Sequence, residues 1–142
     1  MLYYIKMGTY DKRIIDYINL FENITRSSVR DCFFQNDILV FVVTEGQASK
    51  AIGKNGRNVI KFARLINKRL KVIEYHSDPL KFMRNLIAPI KPKDIKLEDK
   101  TLEVFVENTK DKGLLIGRDK RNLENFKKVM KSYFKVENIK IR

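Results

Sequence analysis

The chain of 142 residues holds one cysteine and one histidine. Cys32 closes no internal disulfide, and one Cys with one His does not fill the four-ligand shell of a structural zinc. Cys32 lies in an apolar stretch far from His76, so it reads as a small buried core residue of a cytoplasmic protein rather than a reactive thiol. No apolar run approaches the ~18 residues that a membrane-spanning helix needs. The opening Met-Leu-Tyr-Tyr-Ile-Lys-Met-Gly lacks a secretory hydrophobic core of usable length. With 3 prolines and 6 glycines against 44% hydrophobic residues, the composition is that of a globular protein. Chemistry-bearing constellations are also missing. Asp94, Glu98 and Asp99 are near neighbours but sit at a hairpin without further ligands, and no nucleophile–base pair or nucleotide-binding P-loop occurs. The chain reads as a non-enzyme that takes no cofactor and no membrane.

Acid is the scarce charge. Against 30 Lys and Arg stand 17 Asp and Glu, a net charge of +13, and the sequence pI is about 9.9. Residues 1–77 contribute +6 and residues 78–142 contribute +7, so the whole body is basic rather than one tail. That balance suits a polyanionic partner.

What is present is a repeat. Ala-Ile-Gly-Lys-Asn-Gly-Arg-Asn-Val at 51–59 returns as Leu-Ile-Gly-Arg-Asp-Lys-Arg-Asn-Leu at 115–123. The offset is 64 residues, so Gly53 answers to Gly117, Arg57 to Arg121 and Phe62 to Phe126. A fixed offset with matched flanks indicates a duplicated unit. The expected domains are 1–77, with a short N-terminal extension, and 78–142. Their joint at His76-Ser77-Asp78 has no flexible linker, which predicts a fixed relation between them.

Hydrophobic periodicity predicts one element order for both halves. In the first, a helix runs from Asp11 to about Ile24, followed by strands Val29–Gln35 and Ile38–Thr44 around the turn pair Asn36-Asp37. A short helix Gln47–Ile52, a longer one from Arg57 to about Asn67 and a strand Lys71–Tyr75 complete it. In the second, Ser77-Asp78-Pro79 starts a helix over Leu80 to about Ala88. Strands Asp94–Glu98 and Thr101–Glu107, helices Lys112–Ile116 and Arg121 to about Phe134, and a strand Glu137–Arg142 follow. Leu102, Val104 and Val106 alternate with Thr101, Glu103 and Glu107, giving one core face and one wet face broken by Phe105. Tyr3, Tyr4 and Tyr10 read as packing residues before base-stacking ones.

The repeated motif joins two helices. Glycine allows a tight turn and lets a phosphate approach without a Cβ in the way. The opening N–H groups of the next helix are unpaired and sit at the positive end of its dipole. Lys54 adds charge at the loop tip. Arg57, Lys61, Arg64 and Lys68 recur at helical spacing as a basic stripe, while Val59, Ala63 and Ile66 are expected to turn into the core. In the second copy, Gly117-Arg118-Asp119-Lys120 lacks the second glycine. Lys120 should obstruct the backbone and Asp119 oppose an anion, with Arg118, Lys120 and Arg121 compensating.

Ile-Gly-x-x-Gly-x-x-Val between two helices, after a hairpin, resembles the KH domain in its type II αββααβ topology. That family reads single-stranded RNA or DNA, its G-x-x-G loop clamping the backbone of about four nucleotides. The resemblance implies an α+β fold of two tandem type II KH domains, small three-stranded sheets covered by helices and packed as one rigid unit. It implies RNA binding by Ile52, Gly53, Lys54, Asn55, Gly56, Arg57, Lys61 and Arg64, with Val59 helping to support the base groove. Gly117, Arg118, Lys120 and Arg121 are expected to form a second site that is weaker or differently used. Val-Val-Thr-Glu-Gly at 42–46, Lys-Val-Ile-Glu-Tyr at 71–75, Lys81-Phe82, Asn85-Leu86 and Ala88-Pro89 narrow the resemblance to archaeal NusA-like transcription factors. This implies a single-stranded RNA partner, the nascent transcript, in transcription termination or antitermination. Two alternatives stay open: a module docking on RNA polymerase or another transcription factor, and a ribosome-associated or RNA-processing KH protein.

Overall fold

A computed structural model describes residues 12–142; Tyr3, Tyr4 and Tyr10 lie outside it. The chain divides into two compact units, one ending at His76 and the other starting at Ser77. In the first, α1 (Lys12–Thr25) leads to β1 (Val29–Gln35), β2 (Ile38–Val43), α2 (Ala48–Ile52), α3 (Arg57–Ile66) and β3 (Arg69–Glu74). In the second, α4 (Pro79–Ile87) leads to β4 (Asp94–Glu98), β5 (Thr101–Phe105), α5 (Thr109–Ile116), α6 (Arg121–Tyr133) and β6 (Asn138–Ile141). Each pair of consecutive short and long helices is joined by a three-residue turn, Lys54–Gly56 or Arg118–Lys120.

Both sheets share one topology. The middle strand pairs antiparallel with its hairpin partner and parallel with the strand that follows the two helices. A parallel neighbour demands a crossover connection, and the helix–turn–helix is that connection. The turn therefore sits where the crossover reverses.

The first core gathers Ile14, Ile18 and Phe21 from α1, Val29 and Cys32 from β1, Leu39, Phe41 and Val43 from β2, Ala51 from α2 and Phe62 from α3. Phe21 stacks on Phe41 at 4.1 Å between centroids, and both meet Phe62 edge-on at 5.2 and 5.5 Å. The edge-on contacts add to plain area burial because ring edges are positive and faces negative. Cys32 is buried and free; burial first, and Asp31 second, push its thiol pKa well up. In the second unit α4 packs on α6 and β4. Asp78 caps α4, its Oδ1 accepting from Leu80 N at 2.9 Å, with Pro79 in the first turn. Phe82 meets Tyr133 at 6.2 Å.

Element boundaries differ from the sequence expectation by up to three residues. β3 opens at Arg69, because Arg69 and Leu70 pair in register with Ile38 and Leu39. α5 opens at Thr109, because Asn108 Oδ1 caps it by accepting from Asp111 N at 2.8 Å. Gln47 precedes α2 instead of opening it, and β5 stops at Phe105.

Candidate nucleic-acid interface

The two turns carry the sequence-derived site. Gly53 lies at φ 79°, ψ 167° and ends α2, its N–H bonded to Ser49 O at 2.9 Å. Asn55 follows at φ 57°, ψ 28° and Gly56 at φ 74°, ψ 15°. Gly56 N closes the turn on Gly53 O at 3.1 Å. No side chain caps this turn or the start of α3, and α3 has no acidic residue in its first turn. Gly56 N and Arg57 N are taken up inside the turn, by Gly53 O and Lys54 O, and the N–H groups that follow at the start of α3 sit at the positive end of the helix dipole without a side-chain cap. Lys54, Asn55 and Arg57 are exposed around them, while Ile52 at the end of α2 is half-buried.

The second turn repeats the first. Gly117 lies at φ 76°, ψ 172°, Asp119 at φ 54°, ψ 30° and Lys120 at φ 61°, ψ 21°. Its bonds are the same with the same offset: Gly117 N to Gly113 O at 2.9 Å and Lys120 N to Gly117 O at 3.2 Å. The missing second glycine leaves the backbone path unchanged. Lys120 takes the left-handed conformation itself, with its side chain, and those of Arg118, Asp119 and Arg121, exposed. One difference is electrostatic: α6 has Glu124 in its first turn, paired with Lys127 at 3.5 Å.

The basic stripe is shorter than the sequence suggests. Arg57, Lys61 and Arg64 are exposed on successive turns of α3. Lys68 leaves the row: it is half-buried, its Nζ 5.6 Å from the centre of the Phe34 ring. Arg64 instead lines an open depression of about 550 Å³ with Asp37, Ala63, Asn67, Lys68 and Arg69, at the far end of α3 from the loop. Val59, Ala63 and Ile66 are half-buried rather than in the core; Ile66 alone of the three packs against the first core cluster, and Phe62 is the one buried residue of the helix. The reason is geometric: a ten-residue helix lying across a small sheet seals only the centre of its inner face.

Two features escaped sequence reasoning. Ile60, 49% exposed, stands beside the loop, its Cδ1 3.9 Å from where a Cβ on Gly56 would lie. Asn58 and Asn122 bridge the loops: Asn58 Nδ2 donates to Lys50 O at 3.1 Å, and Asn122 Nδ2 to Leu114 O at 2.9 Å. The available signal was the Arg-Asn pair recurring at 57–58 and 121–122.

The KH domain profile matches residues 17–98, more than half of the chain. Among curated proteins, the chain is 35% identical over 127 residues to the "Probable transcription termination protein NusA" of Methanocaldococcus jannaschii, covering 87% of this chain and 69% of that one. The chain belongs to the archaeal NusA-like family of KH proteins. A protein of the same name from Methanococcus vannielii is 34% identical over 140 residues, covering 96% and 79% of the two chains. Among solved structures, the crystal structure of APE1850 superposes with a TM-score of 0.66 at 29% identity, covering 94% of this chain and all of that one. Both units here have the αββααβ order of the type II KH fold, and each carries a glycine-led turn between its two consecutive helices.

Proposed function

We propose that this chain binds single-stranded RNA during transcription termination or antitermination, gripping the backbone of the nascent transcript with the Gly53–Gly56 loop of its first KH unit. The observation that carries the reading is the pair of uncapped helix starts behind glycine-led turns, ringed by exposed Lys54 and Arg57 in one unit and by Arg118, Lys120 and Arg121 in the other. Phosphate oxygens would accept from the N–H groups that open the helix after the turn, the lysines and arginines would hold the strand nearby, and Ile52 and Ile60 would offer apolar contact to a base. Lys61 and Arg64 would extend the positive field along α3. The family name of the curated relatives supports the transcriptional setting, and KH domains clamp about four nucleotides of single strand. The reaction class is binding, with no bond made or broken.

Gly56→Asp tests this. A Cβ at Gly56 meets open space apart from Ile60 Cδ1 at 3.9 Å, and aspartate is among the residues that best tolerate φ 74°. The fold should therefore survive, with a melting shift of a few degrees. A carboxylate within about 4 Å of a bound phosphate costs on the order of 1–4 kcal/mol, so affinity for single-stranded RNA should fall roughly fivefold or more. A folded variant with unchanged affinity would refute the reading.

A further inference from the structure

The two loops trace one backbone path although their second halves differ, Asn-Gly in one and Asp-Lys in the other. What they share is a glycine at the first position and an asparagine five residues on. The two residues fit each other. A Cβ on Gly53 would lie 3.0 Å from Asn58 Cγ and Nδ2, and one on Gly117 would lie 2.8 Å from Asn122 Cγ and 2.9 Å from Nδ2. The asparagine thus occupies the space that the absent side chain leaves. From there its amide donates to a carbonyl in the last turn of the preceding helix, Lys50 O or Leu114 O, a group with no partner inside its own helix. One side chain ties the exit of one helix to the entry of the next, straight across the loop.

Packing alone does not account for this choice. Asn122 is only 6% exposed, and its Oδ1 is buried with no hydrogen-bond partner. An unsatisfied buried carbonyl is a cost that an apolar residue of the same size would avoid. The amide donor is what the position needs.

We propose that Asn58 and Asn122 are positioning residues that hold each loop in its phosphate-facing shape, so that Gly-x-x-x-x-Asn, rather than the second glycine, is the requirement for a working loop in this chain. The proposal rests on the RNA-binding reading above and adds a consequence: the second loop is ready-made for backbone contact despite Lys120.

Asn58→Leu and Asn122→Leu, made singly in the full chain, separate positioning from packing. Leucine keeps the branched outline, with bulkier methyl groups, and fills the site but donates nothing. Thermal melting should change little at Asn122→Leu, where removal of the unpaired buried carbonyl offsets the lost hydrogen bond, and fall slightly at Asn58→Leu, which has no such offset. Affinity for an oligouridine long enough to reach both loops should fall about three- to tenfold, the worth of one hydrogen bond, and its salt dependence should flatten as phosphate contacts are lost. In ¹H–¹⁵N spectra of the free protein, the Gly53 or Gly117 amide signal should move. Should a leucine variant fail to fold, Asn58→Ala at the half-exposed copy takes its place. Parent-like affinity and salt slope in both folded variants overturn the proposal. If the parent chain itself binds no oligouridine, the RNA reading fails, and the lock is still judged: unmoved Gly53 and Gly117 signals would overturn it.

Discussion

Gly53 and Lys120 show what single residues decide here. Gly53 sits at φ 79°, ψ 167°, a region that essentially only glycine enters, and a Cβ there would strike Asn58. No substitution is expected to be tolerated at that position without moving the loop. Lys120 occupies the milder left-handed region at φ 61°, ψ 21°, which costs a residue with a Cβ roughly 1–2 kcal/mol. Lys120→Gly removes that strain but loosens the unfolded chain. A net gain of roughly 0.5–1 kcal/mol is expected by the same two principles, read as a small rise in melting temperature. A fall would mean that the Lys120 side chain stabilises the fold more than its backbone strains it. The glycine positions were legible in the sequence because glycine announces positive φ. The conformation of Lys120 was not, since nothing in a lysine announces it; only the neighbouring bonds, Lys120 N to Gly117 O and the start of α6, impose it.

Among the elements, helix starts were read best where a capping side chain stands at the start. Ser77-Asp78-Pro79 marks the start of α4, and Asp78 does cap Leu80 N at 2.9 Å. Asp78→Ala should cost about 1 kcal/mol, measured by urea unfolding, with the denaturant slope unchanged. A negligible loss would assign the helix start to Pro79 and packing instead. The start of α5 was missed because Thr-Lys-Asp-Lys-Gly at 109–113 shows no apolar period, although Asn108 caps it. β1 and β4 span the expected runs, while β5 stops two residues short at Phe105. β3 starts two residues early, since Arg69 and Leu70 are recruited by pairing with β2. Parallel pairing joins strands distant in sequence, so no local pattern fixes where it begins.

At the scale of the whole molecule, the charge of +13 has a measurable signature. Each phosphate neutralised on a single strand adds roughly 0.7 to the log–log salt slope, so a footprint of several phosphates should give a slope of about −2 to −5. Replacing Lys54, Lys61 and Arg64 together with Gln should flatten it. A parent slope near zero would assign the charge to another partner. The repeat, the element order, the family and the loop positions were all present in the sequence, because each is written in local spacing or in residue types with one conformational use. Two things required the tertiary structure. One is how the two sheets diverge: Val40 and Val42 are fully buried on the outward side of β2. At the same places in β5 stand Glu103, paired with Arg142 at 2.8 Å, and Phe105, 5.5 Å beneath Lys96 Nζ. The other is the Gly–Asn lock, because an asparagine five residues from a glycine gains meaning only when the helix reversal brings both to one point. Local sequence determines which backbone shapes are open to each residue; the fold decides which side chains then meet.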